Sequence, residues 1–302
     1  MLKDTLLYLA QNQGLRDFVV HNKTTRGVSR RFVAGEVLDD AVQASRMLNT
    51  RGIQVALDLL GENVSDAHEA QVATRDYIAA LDCIQQSGID ANISIKLTAL
   101  GLDISQELCE ENMRAILERA RDLSTFVCID MEGSAYTERT VDITLRMHAQ
   151  FEQVGTVIQS YLYRSKEDVE RLINEGVRVR LVKGAYKEPA SVAFQQKKEV
   201  DQNYLLLMKM LLARGNFPAI ASHDEAILRE VRTFARDHGI DKSSFEFQLL
   251  YGVRRDLQEQ LVQQGYNVRV YVPYGSQWYP YLMRRMAERP ANLMFVMSNA
   301  LR

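Results

Sequence analysis

Apolar and polar positions along this chain alternate between two periods. Near the start, Leu2, Leu6, Leu7 and Leu9 form one helical stripe. Val37, Leu38, Ala41, Val42, Ser45 and Leu48 form a second, with Asp39 and Asp40 favouring its first turn and Gly52 stopping it. From residue 53 onward, short period-two runs give way repeatedly to longer runs of period 3.6. Strands are predicted over 53–60, 92–97, 126–131, 156–161, 177–183, 218–222, 245–249 and 267–272. Helices are predicted over 65–86, 105–122, 137–151 and 165–175, then from the fifth strand to about 213, then over 224–238, 253–264 and 277–288. A Ser65 cap is expected to open the first of these, and Gly176, Gly239 and Gly265 mark ends.

Regular strand–helix alternation predicts a parallel sheet with helical crossovers. Eight such units fit a TIM-like (β/α)8 barrel, an α/β fold, better than an open doubly wound sheet. No G-x-G-x-x-G follows the first strand, which weakens a dinucleotide-binding open sheet further. With 302 residues, five prolines and no low-complexity tract, one domain is expected: N-terminal helices over 1–50 and the barrel over 51–302.

A net charge of −2 gives no reason to expect nucleic acid as a partner. Cys83, Cys109 and Cys128 lack metal-type spacing and sit in apolar periodic runs, so buried free thiols in a reducing compartment are expected. The first residues do not read as a signal peptide, and no segment reads as a membrane span. Peripheral membrane contact stays open.

The candidate chemistry starts at Val179-Arg180-Leu181-Val182-Lys183-Gly184-Ala185-Tyr186. Parity puts Val177, Val179 and Leu181 on one strand face and Arg178, Arg180 and Val182 on the other. Two arginines on a buried strand face require an anionic or aromatic partner. Lys183 and Gly184 offer a charge and a bare backbone suited to a phosphate, although an ion-paired strand end accounts for them equally. Barrel catalysis gathers at strand C-terminal ends. There, parity selects Ser94 and Lys96, Asp130, Gln159, Arg180, Ser222 and His223, then Glu246, Gln248 and Leu250, then Arg269 and Tyr271. Polar groups thus recur opposite the aliphatic face, as a lined pocket requires.

Plainer roles compete with this one. Lys96 and Asp130 could instead form a structural ion pair between neighbouring strands. His223 could cap the following helix, and Tyr271 could be wall packing. Arg284 and Arg285, with Glu288 one turn from Arg284, suit surface salt bridges as well as a carboxylate clamp over the mouth. Lys96 or Lys183 would also allow a Schiff-base lyase or aldolase. An inert binding barrel would be expected to lack the charged mouth.

Several stretches together resemble proline dehydrogenase, specifically the short, single-function bacterial enzymes. They are Ser94-Ile95-Lys96-Leu97-Thr98, Ile129-Asp130-Met131-Glu132, Arg180 through Tyr186, Ser222-His223-Asp224 and Glu246 through Gly252. Tyr271-Val272-Pro273-Tyr274-Gly275, followed by Tyr281 through Arg289, completes the set, in order, between about Gly52 and Asn292. The resemblance implies a (β/α)8 barrel with non-covalent FAD. It also implies oxidation of L-proline to Δ1-pyrroline-5-carboxylate by hydride transfer to flavin N5, the first step of proline catabolism to glutamate. Electrons would then pass to a quinone, with a cytoplasmic enzyme touching the inner face of the membrane at most peripherally.

By similarity, Lys96, Arg284 and Arg285 hold the substrate carboxylate, and Leu250 and Tyr271 pack its ring. Arg180 sits beside N5, and Asp130 anchors Lys96 and the Tyr271 side; these two are the catalytic candidates. Met131, Gln159, Lys183, Gly184, Ala185, Tyr186, Ser222, His223 and Gln248 line the flavin. Glu62 matches a glutamate that pairs with Arg284 and closes the site. Tyr251 departs from many relatives, which carry another residue there. Tyr271 keeps the hydroxyl that disfavours a 4-hydroxylated ring, implying proline rather than hydroxyproline as substrate.

Overall fold

The computed structural model of the chain describes residues 30–288. The stripe at Leu2–Leu9 lies outside them. The second stripe forms helix α1 (Leu38–Asn49), whose buried residues include Ala41, Val42, Ser45 and Leu48. Strand β1 (Gln54–Leu59) follows, and then strand and helix alternate around the molecule. The sequence runs α2 (Ala67–Ser87), β2 (Ala91–Ile95), α3 (Gln106–Asp122), β3 (Val127–Ile129), α4 (Ser134–His148), β4 (Val154–Gln159), α5 (Ser165–Asn174) and β5 (Arg178–Val182). It continues with α6 (Lys197–Arg214), β6 (Ala219–Ala221), α7 (Glu225–Asp237), β7 (Glu246–Leu250), α8 (Arg255–Gln263), β8 (Asn267–Tyr274) and α9 (Trp278–Glu288).

All neighbouring strands are parallel, and β8 closes on β1 with Gln54 opposite Arg269 and Leu59 opposite Tyr274. The expected (β/α)8 barrel is the architecture. The main apolar layer lies between strands and helices: Ile93, Ile95, Val127, Ile129, Val179, Leu181, Phe247, Val270 and Val272 are all buried there. Strand parity therefore sends the other face, with most of its polar groups, into the barrel interior.

Low in the barrel, the Arg178 guanidinium lies 4.2 Å from the Phe126 ring centre and 4.5 Å from that of Phe217. This is the aromatic partner its strand position demanded. Burial nonetheless lowers its pKa from the usual arginine value, opposed by Glu246. Beside it, Arg269 Nε donates to both Glu246 carboxylate oxygens at 3.1 Å.

Three local expectations need correction. The cap of α2 is Asp66, whose carboxylate accepts the Glu69 N–H; Ser65, one residue earlier, donates from its N–H and Oγ to the Glu69 carboxylate. A carboxylate one residue nearer the first turn competes better for its orphan N–H groups. Helix α4 starts at Ser134, three residues before the predicted Thr137. And β5 is not followed at once by a helix: the stretch 183–196 comes first, carrying Gly184 at φ +116° and Pro189. Among the described residues no helix is long and apolar enough to cross a membrane.

Candidate functional site

A cavity of about 800 Å³ opens at the C-terminal ends of the strands. Lys96, just past β2, and Asp130 and Met131, just past β3, reach it, as does Gln159 at the end of β4. Arg180 of β5 joins them, with Lys183, Gly184, Ala185 and Tyr186 beyond the strand. Ser222 and His223 follow β6, Gln248 and Leu250 come from β7, and Tyr271 from β8. Glu62 stands in the β1–α2 connection, outside the lining. Arg284 and Arg285 belong to α9, whose Tyr281 lines the cavity; their side chains lie outside the described residues. Tyr251 does not line the cavity; it is partly buried against the core, with the Arg255 guanidinium 6.0 Å from its ring centre.

The floor is a charged network. Arg180 Nη1 donates to Asp130 Oδ1 at 2.7 Å, and its Nη2 donates to Ser94 Oγ at 3.0 Å. The same guanidinium lies 5.2 Å from the Tyr271 ring centre, and Tyr271 Oη donates to Asp130 Oδ2 at 2.6 Å. Lys96 Nζ sits 3.8 Å from Asp130 Oδ2 but only 2.5 Å from Asp58 Oδ1. The cross-strand pair expected between Lys96 and Asp130 is therefore the weaker contact, and the close partner, Asp58, was missed. Its signal was present: Asp58 shares strand parity with Ala56 and stands at the end of the first strand.

Burial works against the Lys96 ammonium, yet Asp58 and Asp130 outweigh it and raise its pKa well above the ordinary lysine value. Burial raises the Asp58 carboxyl, with Lys96 opposing. Burial also disfavours the Arg180 cation, but Cys128 and Asp130 more than restore it. Tyr271 is pushed well above the usual phenol value, by burial first and then by Asp130 and Asp58, and so remains a donor. The site presents fixed cations and a phenol under one cavity.

At its rim, Lys183 is ion-paired, 2.6 Å from Asp201 Oδ1 and 3.1 Å from Asp224 Oδ2. Burial alone would raise both carboxyls; hydrogen bonds from Lys183, with Lys197 helping, take them below the usual aspartate range. The Asp224 side chain caps α7, and His223, the other candidate cap, instead accepts the Leu250 N–H on Nε2 at 3.0 Å. Glu188 accepts the Ser134 N–H at 2.7 Å and the Ser134 hydroxyl, which ties the β5–α6 stretch to the start of α4 across the mouth.

Gly184 is required there: a Cβ would fall 2.5 Å from the Tyr161 ring, at a φ that L side chains avoid. Gly184→Ala is expected to cost about 1–3 kcal/mol. A calorimetric melt checks this, and an unchanged Tm would contradict the packing argument.

Several lining residues carry a buried polar atom with no hydrogen-bond partner among the described residues; these include Gln159 Oε1, an acceptor, Arg180 Nε, a donor, and the Tyr161 hydroxyl. Such atoms in a native interior call for a ligand or water. A volume of this size with both polarities on its wall suits a flat heteroaromatic cofactor with alternating donor and acceptor edges. Gln248 is fixed from below, its Nε2 donating to Glu246 Oε1 at 2.5 Å.

Comparison with known proteins bears on this site. A family model described as proline dehydrogenase matches residues 41–298. Proline dehydrogenase 1 of Bacillus subtilis subsp. natto is 42% identical over 302 residues, covering 100% of both chains. Proline dehydrogenase of Deinococcus radiodurans is 43% identical over 280 residues, 91% of this chain and 90% of that one. Among solved structures, proline utilization A from Bdellovibrio bacteriovorus, inactivated by N-propargylglycine, superposes with a TM-score of 0.83 at 24% identity. That match covers 94% of this chain and 38% of the longer one, and it supports the fold. With a charged cavity at the strand ends and full-length relatives above 40% identity, the chain belongs to the proline dehydrogenase family of oxidoreductases.

Proposed function

We propose that this cavity binds FAD and L-proline together and that the enzyme oxidises L-proline to Δ1-pyrroline-5-carboxylate, opening proline catabolism. The observation that carries this reading is the network of Lys96, Asp130, Arg180 and Tyr271 converging on one cavity. When bound, FAD supplies the acceptor for the hydride that leaves the carbon beside the ring nitrogen. Gln159 Oε1 and Arg180 Nε would meet its polar edges; Met131, Ser222, His223, Gln248 and the Lys183–Tyr186 stretch would line it.

Lys96, held as an ammonium, would take the substrate carboxylate together with Arg284 and Arg285, and so set the ring's position. Leu250 and Tyr271 would pack that ring. Asp130 holds Arg180 and Tyr271 in place, so the cation is fixed before charge develops. Glu62, paired with Arg284, would close the site. A quinone would then take the electrons, with contact to a membrane at most peripheral. A Schiff-base role for Lys96 is disfavoured because a nucleophilic amine must be neutral, and Asp58 and Asp130 keep this one protonated.

The visible spectrum under anaerobic conditions tests the reading. The purified enzyme should be yellow, and the flavin bands should bleach on adding L-proline. Colourless protein that cannot be reconstituted with FAD would end it.

A further inference from the structure

Glu132 lies just past Asp130 and Met131 and is 4% exposed, yet it does not line the cavity. It faces Thr98, which is fully buried in the short turn after β2. Thr98 Oγ1 donates to Glu132 Oε2 at 2.6 Å, and the Thr98 N–H donates to Glu132 Oε1 at 3.2 Å. With its proton given to the carboxylate, Thr98 Oγ1 keeps its lone pairs free and accepts the Asn63 N–H at 3.2 Å. Asn63 has φ +58°, a left-handed conformation that asparagine tolerates better than most non-glycine residues. Its neighbour is Glu62, which is close enough for its charge to act on the Glu132 carboxyl.

The β1–α2 connection also leans on the barrel's other side: Leu60 N–H donates to Tyr274 O, and Gln277, at the start of the turn into α9, lies 3.8 Å from a Cβ built at Gly61. The connection therefore bridges the β2 and β3 ends to the element carrying Tyr281.

We propose that Glu132 and Thr98 are positioning residues for proline binding: the carboxylate orients the Thr98 hydroxyl, which pins the Asn63 amide and thereby sets where Glu62 stands at the mouth. This rests on the proposed function. The chain of donors has one polarity. Glu132 accepts twice, which forces Thr98 Oγ1 to turn its proton inward and its lone pairs toward Asn63. A buried carboxylate with two donors from one residue is costly to build and rigid once built. Neither residue lines the cavity, but Glu132 also feels the Lys96 charge, so exchange at the Asn63 amide is the readout that separates a route through the connection from a direct electrostatic one.

Thr98→Val keeps the shape and removes the hydroxyl. The expected result is a KM for L-proline about tenfold higher with kcat nearly unchanged, because a misplaced closing segment weakens binding rather than chemistry. Hydrogen exchange at the Asn63 amide should quicken by about tenfold or more, since its acceptor is gone. Thr98→Ser should restore both. Should Thr98→Val fail to fold, Glu132→Gln serves: its amide matches only one of the two Thr98 donors, so the same two readouts move the same way by less. Wild-type KM with unchanged Asn63 exchange in either variant would overturn the proposal, as would kcat and KM changing together without serine rescue. Lack of flavin bleaching by proline in the unaltered enzyme would sink the functional reading instead. Asn63 exchange in the variants would still decide whether the pin exists.

Discussion

Asp130→Ala should lower kcat/KM for L-proline by about 10²–10³, the range seen when a preorganised electrostatic group is removed from an active site. One carboxylate serves three groups here: Arg180 at 2.7 Å, Tyr271 at 2.6 Å and Lys96 at 3.8 Å. Without it Arg180 keeps Ser94 but loses its counter-charge, and Tyr271 loses its acceptor while buried. The Arg180 cation, beside the proposed flavin site, would then be mobile and its field misdirected. Asp130→Asn is the informative companion. Its single carbonyl oxygen can serve Arg180 or Tyr271 but not both, so an intermediate loss is expected. Steady-state kinetics with flavin content measured on the same samples checks this. An alanine variant with wild-type kcat/KM and full flavin would mean the network has no part in turnover.

Lys96→Met should be the most destabilising single change in the site. It leaves the Asp58 carboxylate, whose side chain is 1% exposed, without the cation 2.5 Å away. Breaking a buried pair from one side costs about 3–5 kcal/mol. For a chain of this size that corresponds to a Tm fall of about 5–8 °C. Changing Asp58→Leu in addition should recover much of the loss, because no stranded charge remains; a double-mutant cycle measures the coupling. If the single variant melts with the wild type, the pair does not contribute as argued.

The pH dependence has a definite sign. The folded lysine's pKa lies above its ordinary value of 10.5, so its contribution is complete below that value and fades only as alkaline pH approaches the folded one. The gap between wild type and Lys96→Met should therefore be flat through neutral pH and narrow at high pH.

The two unanticipated acidic residues show where sequence reading stops. Glu132 ends the stretch Ile129-Asp130-Met131-Glu132, but its burial against Thr98 depends on the turn after β2 meeting the end of β3. Asp58 had the right parity and the right strand end. Its importance comes from Lys96 reaching toward the first strand as well as the third, and a side chain's choice between two neighbouring strands is not encoded in either strand's own pattern. The β5–α6 stretch is similar: Glu188 tied to Ser134 is a contact between segments with no shared period.

What the linear chain settled on its own was local and periodic. Period two against 3.6 separated strands from helices, and parity along β2, β5, β7 and β8 sorted Lys96, Arg180, Gln248 and Tyr271 onto the inner face, because adjacent Cβ atoms on a strand must point oppositely. Tertiary structure alone decided the pairings: closure of β8 on β1, the choice of Asp58 over Asp130 as the close partner of Lys96, and the seating of Arg178 between two phenylalanines. Those depend on distances across a closed barrel, where burial makes each charge seek whatever partner the register brings within reach.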